Sequence, residues 1–357
     1  MEDAEEGQPT AVEIVVELEE EAHSVELSVP ADSFRDVAER AGAEFVMTTN
    51  MGSVTFDEAA ITSIADQAQS DNITISMAVV DKTTLPQDLQ DTVGDRPVYD
   101  FSVMSGGTPI SGFGGGKARV SAPYTLKPGE DPNSVVVYYI DDQGRLNYVR
   151  GAYNAQTGMV TFTTSHFSKF MVGYNSVSFN DVKQGMWFYE QVRFIAARNI
   201  TSGTGNGNFS PSSYTTRAQF VVMLFKAFGI EPAEPGTDNF TDCGNTYYTG
   251  YLARVKELNV SPGVGNNRFA PDARITRQEM FTLLYRTLNA IGELPGVKNT
   301  ITLEDFTDSD RIAEYAREPM ARLVNAGIIV GNNGMLTPEG LSTRAQVAQI
   351  IYMLLSE

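Results

Sequence analysis

The chain has 357 residues, 42% of them hydrophobic and 20% charged, which fits a folded protein of two or more domains. Its net charge of −19 and pI near 4.5 argue against nucleic acid as a partner, because neutralising phosphates needs a basic surface. A single cysteine, Cys243, excludes an intrachain disulfide, and no apolar run approaches the roughly 18 residues of a membrane span.

The opening "MEDAEEGQPT" is acidic where an export signal would be basic and then apolar. A chain that reaches a cell surface with this start has lost its signal or is a piece of something longer. Residues 1–23 read as an acidic tail or linker around one strand, Val12 to Leu18, with the first ten residues solvated.

Residues 24–175 read as a β-rich module of α+β type. "VELSVP", "EFVMTTNMGSVTF" and "NITISMAVVD" alternate or run β-branched, as strands do. "DSFRDVAERAG" (32–42) and "DEAAITSIADQAQ" (57–69) have the acidic starts of short helices, the first closed by Gly42. A meander then runs through "SVVVYYI", "RLNYVRGAY" and "MVTFTTSHFSKFMVGY", with turns at "DDQG" and "NAQTG". Short strands at this spacing predict an antiparallel sandwich or open barrel. "SGFGGGKA" is not a phosphate loop, which would need Gly at Ser111 and Ser or Thr at Ala118; it reads as an inter-strand loop.

After Asn175 the apolar period becomes helical, interrupted by the linkers "GIEPAEPGTD" (229–238) and "GELPGVKNTITLED" (292–305). Three copies of one unit follow, at 176–238, 239–303 and 304–357. Each opens on Phe-x-Asp: Phe179 and Asp181, Phe240 and Asp242, Phe306 and Asp308. Each then has an amphipathic helix, a Gly-bearing loop (Gly203, Gly263, Gly331), a proline and a Thr-Arg-x-Gln/Glu box. Pro211, Pro271 and Pro338 each precede the box arginine by six residues, and Phe to Arg counts 38, 37 and 38. The phenylalanines and prolines read as core and turn residues. The glycines permit close approach, whether by a sugar or by another backbone.

The box predicts Thr216, Thr276 and Thr343 as helix N-caps, with Gln219, Glu279 and Gln346 returning the bond from N3. It leaves Arg217, Arg277 and Arg344 at N1, where the helix dipole disfavours a cation. Two roles fit them. They can pair with the Phe-x-Asp aspartates and hold copies together, or they can receive an anion beside free helix N–H groups.

On Phe179-Asn-Asp181, Trp187, Ile200-x-x-Gly203, Asn208-Phe209-x-Pro211 and Thr216-Arg-Ala-Gln219, with their counterparts, this half resembles three tandem S-layer homology (SLH) domains. The resemblance implies an all-α pseudo-threefold spindle with a central three-helix bundle. It implies grooves between copies that bind an anionic secondary cell-wall polymer, commonly through a pyruvylated amino sugar. The glycan-binding candidates are then Asp181, Trp187, Gly203 and Arg217; Asp242, Tyr248, Gly263 and Arg277; and Asp308, Gly331 and Arg344. Eight residues after the Phe, copy one has Trp187, copy two Tyr248, and copy three Glu314 beside Tyr315, so copy one ranks as the best groove. On the ligand reading, Arg217→Ala weakens binding and barely alters stability. The part from "GGGKARVSAPYTL" onward looks like a β module that often precedes SLH copies.

Nothing points to catalysis, a cofactor or a metal. His23 and His166 are the only histidines, and His166, beside Phe167 in a strand pattern, reads as packed. Asp57–Glu58 reads as a helix start and Asp141–Asp142 as a turn, so no carboxylate pair is placed for glycoside hydrolysis. The expectation is a non-catalytic anchor at the cell wall, without membrane insertion, whose β module spaces or displays. A self-assembling lattice subunit is the alternative, and a surface glycan hydrolase the third.

Overall fold

The computed structural model describes residues 11–19 and 22–356, so the expected tail at residues 1–10 lies outside it. The chain divides between Ser176 and Val177 into two compact units, and each is described by itself.

The N-terminal unit runs β1 (Ala11–Val16), β2 (Ser24–Pro30), α1 (Ala31–Ala38), β3 (Glu44–Thr49), β4 (Gly52–Phe56), α2 (Glu58–Gln67), β5 (Asn72–Val79) and α3 (Gln87–Val93). It continues with β6 (Val98–Ser105), β7 (Thr108–Pro109), β8 (Ala118–Pro123), β9 (Val135–Ile140), β10 (Leu146–Val149), β11 (Gly151–Asn154), β12 (Met159–Thr164) and β13 (Lys169–Tyr174). One sheet has the order β1-β3-β4-β8-β12-β11 and the other β10-β9-β13-β6-β5-β2, with β7 on β6. Alternate residues turn inward, as in β3, where Phe45, Met47 and Thr49 are buried between half-buried neighbours. Phe45, Val54 and Phe162 of the first sheet share one core with Ile75, Phe101 and Phe170 of the second. Phe34 of α1 and Ile61 of α2 join that core.

Two expectations need correction. The sandwich is not wholly antiparallel, because β1 pairs with β3 in parallel. The meander is also broken: β10 and β11 lie in different sheets, as do β12 and β13. At the second corner, Thr164 Oγ1 donates to the His166 carbonyl oxygen at 2.7 Å. Phe167 beyond it packs against Phe56, Phe101 and Phe113, so the core pulls the chain across. The glycine-rich stretch rides over the head of α2. A Cβ at Gly116 would meet the Ala60 nitrogen at 2.0 Å, and the Lys117 N–H donates to the Asp57 carboxylate at 3.0 Å.

The C-terminal unit has two main helices per copy: α4 (Tyr189–Ala197) and α5 (Arg217–Ala227), α6 (Thr249–Glu257) and α7 (Arg277–Ala290), α8 (Glu314–Asn325) and α9 (Arg344–Leu355). All three capping boxes form, with Thr Oγ1 accepting the N3 N–H and the N3 side chain accepting the Thr N–H. The copies interlock in rotation. The first helix of each packs on the second helix of the copy before it: α6 on α5, α8 on α7, and α4 on α9. The residues preceding the box threonines close a ring of backbone bonds. Thr215 N–H donates to Ser342 O at 2.9 Å, Ser342 N–H to Ile275 O at 3.0 Å, and Ile275 N–H to Thr215 O at 3.0 Å. Inside this ring α5 contacts both α7 and α9, and Leu224, Leu284 and Ile351 are buried at equivalent positions.

Candidate functional site between the copies

The helix N–H groups expected to await an anion are already taken. At α5, Arg217 N–H donates to Ala273 O at 2.9 Å and Ala218 N–H to Pro271 O at 3.0 Å. At α7, Arg277 N–H reaches Gly340 O at 2.8 Å and Gln278 N–H reaches Pro338 O at 2.9 Å. At α9, Arg344 N–H reaches Ser213 O and Ala345 N–H reaches Pro211 O, both at 3.0 Å. With the N3 group held by the threonine, each first turn is satisfied by a neighbouring copy's loop. Any anion site here rests on side chains.

The arginine side chains follow the same rotation. Arg217 Nε donates to Phe269 O at 3.0 Å, Arg277 Nε to Leu336 O at 2.8 Å, and Arg344 Nε to Phe209 O at 2.8 Å. Two guanidinium groups lie 4.7 Å from the ring centroids of those phenylalanines, Arg217 over Phe269 and Arg344 over Phe209. The aspartates hold the other side of the same turns. Asp181 accepts from Phe209 and Ser210 N–H, Asp242 from Phe269 and Ala270, and Asp308 from Leu336 and Thr337. The expected Arg–Asp ion pair is thus replaced by a shared turn, held at its N–H groups by an aspartate and at its carbonyl by another copy's arginine.

This rotation redistributes the candidates. Trp187, Gly203 and Arg217 do not line one cavity. A cavity of about 360 Å³ brings Gly203 and Lys226 of copy one to Tyr247 of copy two and Arg344 of copy three. A second of about 360 Å³ brings Gly263 and Glu279 of copy two to Arg217 of copy one and Tyr315 of copy three. Both are in the size range of small-molecule sites. In the third junction the equivalent positions are Arg277, Gly331, Gln346 and Trp187.

In copy two the exposed aromatic is Tyr247 rather than the expected Tyr248. Tyr248 is 8% exposed and caps α6, as Phe188 caps α4, whereas Tyr247 is 63% exposed, like Trp187 at 59%. Trp187–Phe188 and Tyr247–Tyr248 form the same T-shaped pair, with centroids 5.2 Å apart. Copy two is one residue short between Phe and Arg, and that shortening precedes the aromatic. Copy three presents Tyr315, 48% exposed. Burial raises the pKa of the Tyr247 hydroxyl, with Tyr248 adding to the rise and Arg344 opposing it, which registers the two groups' proximity.

The loop glycines answer to the protein itself. At Gly203, with φ +84°, a Cβ would meet Asn208 O at 2.4 Å and the Phe179 ring at 2.7 Å. Gly263 and Gly331 face Phe240 and Phe306 in the same way.

The two cavities differ electrostatically. Arg217 is 5% exposed, and its Nη1 donates to Glu279 Oε1 at 2.8 Å. Arg344 is 4% exposed, and its Nη2 meets the Thr201 hydroxyl at 3.3 Å; among the described residues no carboxylate forms an ion pair with it. Burial lowers the pKa of Arg344, with Tyr247 and Asp181 opposing from a distance. Lys226 adds a second cation to that lining. The expected ranking of copy one rested on Trp187, which falls at the third junction and not in the cavity that Gly203, Lys226, Tyr247 and Arg344 line.

Comparison with protein families matches the S-layer homology domain at residues 178–221, 239–281 and 305–348. Among curated proteins, the chain is 29% identical over 254 residues to an amylopullulanase of Thermoanaerobacterium thermosulfurigenes, covering 70% of this chain and 13% of that protein. It is 30% identical over 184 residues to exoglucanase XynX of Acetivibrio thermocellus, covering 51% of this chain and 16% of that protein. It is 28% identical over 174 residues to S-layer protein EA1 of Bacillus anthracis, covering 49% of this chain and 20% of that protein. The chain therefore spans a fifth or less of these relatives' lengths. The amylopullulanase match is longer than residues 177–357 and so reaches into the β-rich unit. The C-terminal half of this chain carries three S-layer homology domains, modules of cell-wall association.

Proposed function

We propose that the chain is a non-catalytic anchor whose C-terminal unit binds a cell-wall polysaccharide in the grooves between copies, around a central bundle of α5, α7 and α9. The Arg344–Lys226–Tyr247 groove receives a carboxylate-bearing end of the polymer, and a pyruvyl ketal on an amino sugar fits it. The carrying observation is Arg344 itself: a buried guanidinium whose described hydrogen-bond partners are a carbonyl and a hydroxyl. A buried cation is costly without an opposite charge, and a carboxylate supplies one through the guanidinium fork. The exposed ring of Tyr247 offers a sugar's apolar face something to lie on. The aspartates and loop glycines shape the groove, and the β-rich unit acts as spacer or display module. With a net charge of −19, attraction to an anionic polymer rests on these local cations.

Purified cell-wall sacculi, with and without chemical removal of their polymer, test the reading. Sedimentation of the full chain with intact sacculi only is the expected outcome. Equal sedimentation with both would refute it. A lattice-forming role draws on the S-layer relatives, but EA1 matches over a length that the three copies alone can account for.

A further inference from the structure

Three helices begin at the ring of backbone bonds that closes the C-terminal unit. α5, α7 and α9, of 11, 14 and 12 residues, start two positions after Thr215, Ile275 and Ser342. Each helix turns a partial positive charge toward the ring. The N1 arginines add three full charges to that end, and among the described residues only Arg217 has a carboxylate ion-pair partner. The ring residues themselves are 0% exposed, whereas Tyr214, Arg274 and Leu341 just before them reach solvent. The ring side chains therefore turn into the bundle, where Phe220, Met280 and Val347, one turn along, are buried as well. In copy two that side chain is Ile275, which brings no polar atom. In copies one and three it is a hydroxyl, and neither Thr215 Oγ1 nor Ser342 Oγ has a hydrogen-bond partner among the described residues. A buried hydroxyl left unpaired costs its full desolvation, and here two belong to one ring.

We propose that the Thr215 and Ser342 hydroxyls hold a halide-sized monovalent anion inside the ring, clamping the first copy to the last. The first-turn N–H groups are bonded to neighbouring loops, so these two O–H groups are the donors left at this end of the bundle. An anion accepts from both. Three helix N-termini and the N1 arginines favour it over a neutral water, which gains far less from the same field. Burial on every side admits a small ion and shuts out a sugar, so the site is separate from the grooves and independent of the glycan reading. Its place matters to the fold. Thr215 and Ser342 meet where copies one and three join without a linker, and Thr215 N–H already donates to Ser342 O there at 2.9 Å.

The test melts the full chain at fixed ionic strength while sodium chloride replaces sodium gluconate, whose anion is too large to be enclosed. Once the site fills, the unfolding constant of the C-terminal unit is expected to fall about tenfold for each tenfold rise in chloride. A double variant, Thr215→Val with Ser342→Ala, removes both donors and keeps a branched side chain at 215, as isoleucine supplies in copy two. It is expected to fold and to lose the chloride response. Bromide soaked into crystals of the unaltered chain is expected to give an anomalous peak between the two hydroxyls, a reading that needs no variant. A chloride response that survives in the double variant, as an ion at Arg217 or Arg344 would produce, overturns the inference. So does a water in place of bromide between the hydroxyls. Either result leaves the anchor reading standing.

Discussion

Arg344 Nε donates to the carbonyl oxygen of Phe209, 135 residues earlier in the chain, at 2.8 Å. That bond fastens the last copy to the first, beside the ring of Thr215, Ser342 and Ile275 and the packing of α4 on α9. An open stack of repeats would lose stability one unit at a time. A closed one has no end to fray.

A chain truncated after Gly340 should therefore lose the helical signal of the whole C-terminal unit, not that of copy three alone. Without α9, α4 lacks its partner helix and Thr215 its acceptor. Circular dichroism and proton–nitrogen correlation spectra provide the check. Copies one and two remaining folded would show that the closure contributes little.

Arg217→Ala should lower stability by about 1–3 kcal/mol, since it strips the Phe269 carbonyl and Glu279 of a charged donor in a nearly buried place. On the ligand reading the sequence suggested almost no loss, because N1 of a helix is a poor place for a cation when only that helix is considered, whereas the reading of these arginines as ties between copies expected one. Arg217→Lys should recover part of the loss, as an ammonium cannot reach carbonyl and carboxylate together as the fork does. Denaturant melts of the three proteins decide the order. An Ala variant as stable as the parent would mean the tie is idle.

Asp242 gives a pH signature. Burial raises its pKa, but the Phe269 and Ala270 N–H bonds outweigh that, with Arg268 helping, and hold it below the ordinary value. A depressed folded-state value means the stabilisation is complete above the unfolded value, about 3.9, and fades as the pH falls through the folded one. Asp242→Asn should be less stable than the parent at neutral pH, and the gap should close in acid. A gap constant between about pH 2 and pH 6 would remove the carboxylate from the account.

What could be read in the sequence was whatever acts within one copy. The Thr216 box, the buried Phe179 and the cramped Gly203 are fixed by residues a few positions away or in the same repeat, so a spacing rule finds them. Which copies share a groove is decided by the packing of α6 on α5 and α8 on α7, and no spacing within a repeat encodes that rotation. The exchange of Tyr247 for Tyr248 had a visible cause, the missing residue in copy two. The parallel β1 and the sheet change at Ser165–Ser168 depend on contacts far along the chain, and alternation alone is silent about them.

Tyr247 and Tyr248 offer the sharpest separation of groove from core. The first is 63% exposed beside the cavity that Arg344 lines; the second is 8% exposed and caps α6. Tyr247→Ala should leave stability within about 0.5 kcal/mol of the parent, the range of surface changes, while weakening sacculus binding several-fold. Tyr248→Ala should cost about 3–5 kcal/mol through the space it vacates, and binding should fall only as folded protein is lost. Tyr247→Phe should keep binding if the ring's face is what the glycan uses, and lose it if the hydroxyl is. Both quantities come from one preparation of each variant. Wild-type binding by a folded Tyr247→Ala chain would leave Arg344 in a groove without an aromatic floor, and the glycan would have to enter from another side.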